Sequence, residues 1–304
     1  MAKIKGNNKK NLLVGTQGND TILGLGNDDI LRGRNGNDKL DGGTGKDKLF
    51  GQNGDDKLFG GKGDDKLSGG NGNDTLFGGD GADKYDGGAG DHDVADFSSI
   101  TGPDGIFVDL SAGTGALGAA GDTFTGIEDV VGSAFADLVG GDDGANKLSG
   151  GIGEDLLFGG KGNDVLDGGA DVDSIKGGGG ADTMTGATGD DTFSFLNYVA
   201  DADADSGVGV GLRDIITDFD QGNDKISFNG LSGGIDANLS VAGDQDFVFI
   251  GTAAFGGAVG EVRFDQVGGN TIIQVDRQGD LNTSPDFEIE LTGLFTLVAG
   301  DFIV

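Results

Sequence analysis

Between residues 33 and 86 one large apolar side chain recurs at every ninth position, and glycines and polar residues fill each interval. Six consecutive nonapeptides keep a single phase: GRNGNDKLD (33–41), GGTGKDKLF (42–50), GQNGDDKLF (51–59), GGKGDDKLS (60–68), GGNGNDTLF (69–77) and GGDGADKYD (78–86). The eighth place holds Leu40, Leu49, Leu58, Leu67, Leu76 or Tyr85, flanked by residues that side-chain alternation sends outward. Each nonapeptide therefore predicts a glycine turn followed by a strand of about three residues, roughly 10 Å long. So short a period suits neither a helix nor an ordinary hairpin and predicts a solenoid rung. Two nonapeptides back to back make one coil, with the apolar residues facing inward between two parallel sheets.

The same pattern, less regular, organises the flanks. Residues 1–14 read as a short basic cap or a disordered start. A first block spans 15–95: GTQGNDTIL supplies Asp20 and Ile22, and GLGNDDIL supplies Asp28 and Ile30 after a one-residue shortening that leaves Asp29 as an extra acid. It frays at GGAGDHDVA (87–95), where His92, the only histidine, holds the aspartate place. Residues 96–131 lose the phase and predict an irregular connector with short strands at 106–110 and 126–131. A second block spans 132–195, opening with two degenerate repeats that carry Asp137 and Asn146 at the sixth place. From 196 to 304 glycine thins, and β-branched and aromatic alternation predicts antiparallel strands separated by polar turns. The expected class is all-β: a parallel β-roll followed by an antiparallel β-sandwich-like carboxyl-terminal domain.

Charge narrows the functions open to this fold. Asp plus Glu number 52 against 20 Lys plus Arg, a net charge of −32, which excludes nucleic acid as a partner and disfavours an anionic membrane without bridging cations. The chain has no cysteine, hence no disulfide or thiolate site. No apolar run approaches the roughly 18 residues of a membrane span. The four residues 12–15 after the first lysines are too short for a secretory leader.

The sixth place of the motif carries the candidate chemistry. Repeats eighteen residues apart lie on one edge of the coil, about 4.8 Å apart, so Asp38, Asp56 and Asp74 form one column and Asp47, Asp65 and Asp83 another. Stacked carboxylates repel, and a hard divalent cation resolves the conflict: Ca²⁺ takes six to eight oxygens, here carboxylates plus backbone carbonyls freed by glycine. Candidate ligands are Asp20, Asp28 and the six aspartates of 33–86, Asp38, Asp47, Asp56, Asp65, Asp74 and Asp83. In the second block they are Asp137, Asp155, Asp164, Asp173, Asp182 and Asp191. The turn glycines complete the first-block set: Gly33, Gly36, Gly42, Gly45, Gly51, Gly54, Gly60, Gly63, Gly69, Gly72, Gly78 and Gly81. Gly150, Gly153, Gly159, Gly162, Gly177, Gly180 and Gly189 complete the second. Asn146 offers a neutral oxygen and predicts a weaker site.

This nonapeptide resembles the RTX family of secreted proteins, in which the aspartates and turn carbonyls of successive same-edge loops share each calcium. The stretches DIITDFDQGNDKISFNGL (214–231), GEVRFD (260–265) and DFEIELTGLFTLVAGDFIV (286–304) resemble the carboxyl-terminal domain of serralysin-type secreted metalloproteases. That resemblance implies that Asp301-Phe302-Ile303-Val304 ends a type I secretion signal and that the type I secretion machinery is a partner. It implies an extracellular location without an amino-terminal signal peptide. Zinc proteases of that kind need HExxH and a third histidine, so this chain is not one of them. The expectation is a non-enzymatic calcium-binding protein that folds on binding Ca²⁺ after export. Two alternatives are the calcium and secretion module of an enzyme lacking its catalytic half, and a matrix, adhesin or host-interaction protein with a polysaccharide or cell-surface partner.

Three lesser features remain. Asp201, Asp203 and Asp205 read as a solvated acidic insertion or an extra cation site, and the loop 276–286, with Asp280 and Asn282, reads as a hairpin turn. Phe50, Phe59, Phe77 and Phe158 occupy the outward ninth place. Phe59 and Phe77 should stack as an aromatic ladder that docks the chain's own terminal segment or a partner.

Overall fold

In the computed structural model the described residues are 1–195, 209, 211–228, 247–256, 258, 260–276 and 285–303. Asp201, Asp203, Asp205, Asp280, Asn282 and Val304 lie outside them. Each full nonapeptide forms a strand of six residues, twice the predicted length: Lys39–Thr44, Lys48–Asn53, Lys57–Lys62, Lys66–Asn71 and Thr75–Asp80 are consecutive examples. The glycines account for the difference. Gly43, at φ 99°, pairs with Gly61 eighteen residues on, so first-place and second-place glycines extend the ladder and the turn shrinks to the fourth to sixth places.

Register follows the predicted spacing. Lys39 pairs with Lys57, Leu40 with Leu58 and Asp41 with Phe59. Every eighth-place residue from Leu40 to Leu76 is fully buried, which places the core between the two sheets. Phe59 and Phe77 stack with centroids 4.4 Å apart and planes 6° apart.

The chain divides into two compact units, residues 1–142 with 146–152, and 143–145 with 153–304. In the first, one sheet runs Lys3–Lys5, Thr21–Gly26, Lys39–Thr44, Lys57–Lys62, Thr75–Asp80, Val94–Asp96, Asp129–Val131 and Lys147–Ile152, all parallel. Residues 1–14 are therefore ordered: Ile4 pairs with Ile22 and Leu13 with Leu31, giving one more coil. The connector adds an antiparallel hairpin, Ile106–Asp109 with Thr114–Leu117, inside the second sheet. Tyr85, Phe97 and Phe124 fill the core there, with centroids 5.0 to 6.1 Å apart.

In the second unit the nonapeptide strands pass directly into the carboxyl-terminal region. Asp214–Ile216 pairs in parallel with Thr183–Thr188 and also with Phe287–Leu291. Phe287–Leu291 then opens an antiparallel run through Asn270–Asp276 to Glu261–Val267. The antiparallel strands thus extend a sheet of the roll itself. The terminal segment has its own place: Phe302–Ile303 pairs with Lys225–Ser227, and Phe302 packs on Phe228 and Phe249. No helix among the described residues is long and apolar enough to cross a membrane.

Candidate metal sites along the turn edges

The sixth-place aspartates are drawn inside. Asp38, Asp47, Asp56, Asp65, Asp74 and Asp83 are all at most 2% exposed, because the turn that precedes each strand points its carboxylate under the neighbouring rung. Their Oδ1 atoms accept backbone N–H groups in a relay: the amide of Asp38 donates to Asp56, that of Asp56 to Asp74, that of Asp47 to Asp65 and that of Asp65 to Asp83, at 2.7 to 2.8 Å. Asp173 does the same for the amide of Asp155, and Asp182 for that of Asp164.

The second oxygen is different. Among the described residues Oδ2 of Asp29, Asp38, Asp47, Asp56, Asp65, Asp74, Asp83, Asp93, Asp173 and Asp182 is buried with no hydrogen-bond donor. A Cβ on Gly51 would sit 2.2 Å from Oδ2 of Asp56 and 2.7 Å from the carbonyl oxygen of Gly69, so that carboxylate and that carbonyl converge on one point. The same convergence occurs at Gly33, Gly42, Gly60 and Gly159. A carboxylate oxygen that has no donor and faces a carbonyl oxygen offers the oxygen ligands of a hard cation. No three acidic or histidine side chains converge among the described residues, so each site would combine few carboxylates with backbone carbonyls.

Burial is the first cause of the altered acidities. It pushes Asp56, Asp65 and Asp74 up to about 7, and Asp47 and Asp83 to about 6, against the hydrogen bonds that pull them down. Asp173 rises to about 7, Asp182 and Asp191 to about 6.

Two predicted positions are corrected. Asp28 is exposed, while Asp29 is buried and donates its amide to Oδ1 of Asp47. The repeat is the full nonapeptide 24–32, with Leu31 at the eighth place; Leu25 and Asn27 adopt φ of 87° and 69° where the motif has glycine, which hid the phase. His92 is likewise exposed and outside the column, its Nδ1 3.2 Å from Asp129. One extra residue in that repeat brings Asp93 into place, where Oδ1 accepts the amide of Asp74 at 2.7 Å.

Three further aspartates, not among the predicted ligands, continue the columns. Asp122 accepts the amide of Asp83, Asp214 that of Asp182, and Asp224 that of Asp191. Each begins an Asp-x-apolar triplet, Asp122-Thr-Phe124, Asp214-Ile-Ile216 and Asp224-Lys-Ile226, and that half-motif was the available signal. Asp20 and Asp137 differ from the interior carboxylates: Thr16 and Ser133, standing where the motif has its second glycine, donate N–H and hydroxyl to them. Those hydrogen bonds hold Asp20 below its ordinary range. Asn146 turns its amide nitrogen onto the carbonyl of Glu128 at 2.7 Å.

A family model described as the RTX calcium-binding nonapeptide repeat (4 copies) matches residues 5–40, 32–67, 59–91, 122–157, 140–175 and 158–193. Comparison with curated proteins gave no match. Among solved structures, the AlgE6R3 subunit of the Azotobacter vinelandii mannuronan C5-epimerase is 27% identical, over 57% of this chain and 80% of that one, with a TM-score of 0.23. The AlgE6R2 subunit of the same enzyme is 25% identical, over 55% and 90%, with a TM-score of 0.29. The extracellular lipase LipA from Serratia marcescens is 14% identical, over 98% of this chain and 40% of that one, with a TM-score of 0.24.

Proposed function

The chain belongs to the RTX calcium-binding nonapeptide repeat family and binds several Ca²⁺ ions, and from that premise we propose that it is a non-enzymatic extracellular module whose folding is switched by calcium after type I export. The observation that carries this reading is the run of buried, donorless Oδ2 atoms along both edges. A buried polar atom without a partner costs about 1 to 3 kcal/mol, and more when charged. Repeated over ten positions, that cost opposes the metal-free roll.

Calcium supplies the positive charge that the carboxylates and carbonyls lack. Each aspartate holds its rung in register through Oδ1 and offers Oδ2 to the ion, so one side chain serves both folding and binding. Extracellular modules bind Ca²⁺ at about 10⁻⁴ to 10⁻³ M, so a calcium-poor cytosol leaves the chain loose and exportable. In this reading the ligands are Asp29, Asp38, Asp47, Asp56, Asp65, Asp74, Asp83 and Asp93 in the first block, and Asp155, Asp164, Asp173, Asp182 and Asp191 in the second, with the glycine carbonyls beside them. The test is calorimetric calcium titration with far-ultraviolet circular dichroism on the same sample. β-structure should vanish in EGTA and return at millimolar Ca²⁺; a spectrum indifferent to calcium would overturn the reading.

A further inference from the structure

Lysines at the turns of this acidic chain are neutralised locally: Lys46 pairs with Asp64, Lys62 with Asp80 and Lys161 with Asp143. Lysines on the sheet faces are not: Lys39 and Lys57 are exposed and in register on one sheet, and a longer column stands on the other. Lys48, Lys66 and Lys84 pair with one another's strands in strict register, so their side chains form one straight column on three successive rungs. All three are exposed, and none has an ion-pair partner among the described residues. Arg32 and Arg34 stand on the next strand of that sheet, also exposed, and the Arg32 guanidinium lies 5.7 Å from the ring centre of Phe50. On the outward ninth place of the same strands the one acid is Asp86, which takes a hydrogen bond from Ser68. A chain with net charge −32 therefore keeps a column of exposed cations without ion pairs on one sheet face.

We propose that this face, formed by Ile30–Asn35, Lys48–Asn53, Lys66–Asn71 and Lys84–Ala89, binds a linear polyuronate, an extended sugar chain with one carboxylate per residue. The inference rests on the calcium-held roll proposed above, because only the folded roll aligns the lysines. Ammonium groups recur at the strand spacing of about 4.8 Å, comparable to the advance of one sugar in an extended chain, so successive carboxylates can meet successive lysines. The Phe50 ring with its guanidinium offers an apolar face and a cation side by side, suited to the C–H face of a sugar and its acid. A duplex nucleic acid fits less well, since its phosphates wind around an axis and a straight column on a flat sheet meets few of them. Asp47, Asp65 and Asp83 immediately precede the three lysines, but their carboxylates are buried, and bound calcium offsets their charge.

The experiment is calorimetric titration of the full chain in millimolar Ca²⁺ with a short oligogalacturonate, with neutral dextran and with single-stranded DNA, circular dichroism being recorded on each sample. The oligogalacturonate should bind, weakening with salt, and dextran should not. Lys48→Glu, Lys66→Glu and Lys84→Glu together should lower affinity roughly tenfold or more while leaving the β-spectrum intact. Lys39→Glu, Lys57→Glu and Lys147→Glu, an equal charge change on the opposite sheet, should leave affinity within about twofold. Equal losses from both triples, DNA binding as tight as the oligouronate, or no binding by a calcium-folded chain would each overturn the inference. The last outcome leaves the calcium reading standing, whereas a chain whose spectrum ignores calcium fails that reading first. Calcium bridging between protein and sugar carboxylates would survive the first triple and so also counts against the lysine column.

Discussion

The backbone amide of Asp56 donates to Oδ1 of Asp74 at 2.7 Å, although eighteen residues separate them. One carboxylate oxygen is thereby committed to register and the other, Oδ2, is left for an ion. The two roles can be separated by an isosteric change. In Asp74→Asn the amide oxygen keeps the register bond while the nitrogen brings a donor toward the Gly69 turn and removes a charge. The variant should bind less calcium by calorimetry and hold more β-structure in EGTA than the parent, by about 1 kcal/mol of relief from an unsatisfied acceptor. Equal calcium stoichiometry, or less β-structure in EGTA, would refute the division of labour.

Asp28 and Asp29 give a test of register. Asp29→Asn should weaken calcium binding and raise the calcium concentration at the folding midpoint, because Oδ2 of Asp29 is buried without a donor. Asp28→Asn, at an exposed place that only receives the amide of Lys46, should shift that midpoint little. A larger effect from Asp28 would restore the eight-residue phasing.

These neighbours also show what could be read in advance. The period, the inward leucines, the eighteen-residue register and the two columns followed from glycine, aspartate and leucine spacing alone. Phase was lost where Leu25 and Asn27 took glycine's backbone conformation, and where a single inserted residue moved Asp93 into the column that His92 was expected to occupy. Asp122, Asp214 and Asp224 were missed because the loops before them break the nine-residue spacing and leave only the aspartate and the apolar residue two places on in common. The junction of antiparallel strands with the roll was not legible either, since pairing of Asp214–Ile216 with Phe287–Leu291 spans a sequence distance that alternation cannot encode.

Backbone conformation predicts opposite outcomes at two turn-flanking positions. Gly63 adopts φ 119°, and a Cβ there would lie 1.8 Å from the carbonyl oxygen of Gly45. Gly63→Ala should cost on the order of 2 to 4 kcal/mol and raise the calcium midpoint. Gln52 already sits at φ 87°, so Gln52→Gly relieves about 1 kcal/mol of left-handed strain and should lower that midpoint. Urea unfolding at fixed calcium measures both, and the same sign for the two variants would contradict the argument.

Acid should partly replace calcium. Burial raises the folded-state pKa of Asp56, Asp65 and Asp74 to about 7 and of Asp47 and Asp83 to about 6, above the ordinary 3.8 of an unfolded aspartate. Between those limits the folded roll holds more protons than the unfolded chain, so its stability rises as pH falls from about 7 and levels off below the unfolded value. A protonated Oδ2 is a donor to the carbonyl it faces, which removes the clash of two acceptors. In EGTA, β-sheet circular dichroism should therefore increase on going from pH 8 to pH 5. Calcium affinity should move the other way, falling through the same interval because ion and proton compete for one oxygen. A metal-free chain that stays unfolded at pH 5, together with a calcium affinity that does not change from pH 8 to pH 6, would show that the buried carboxylates are not what holds the roll open.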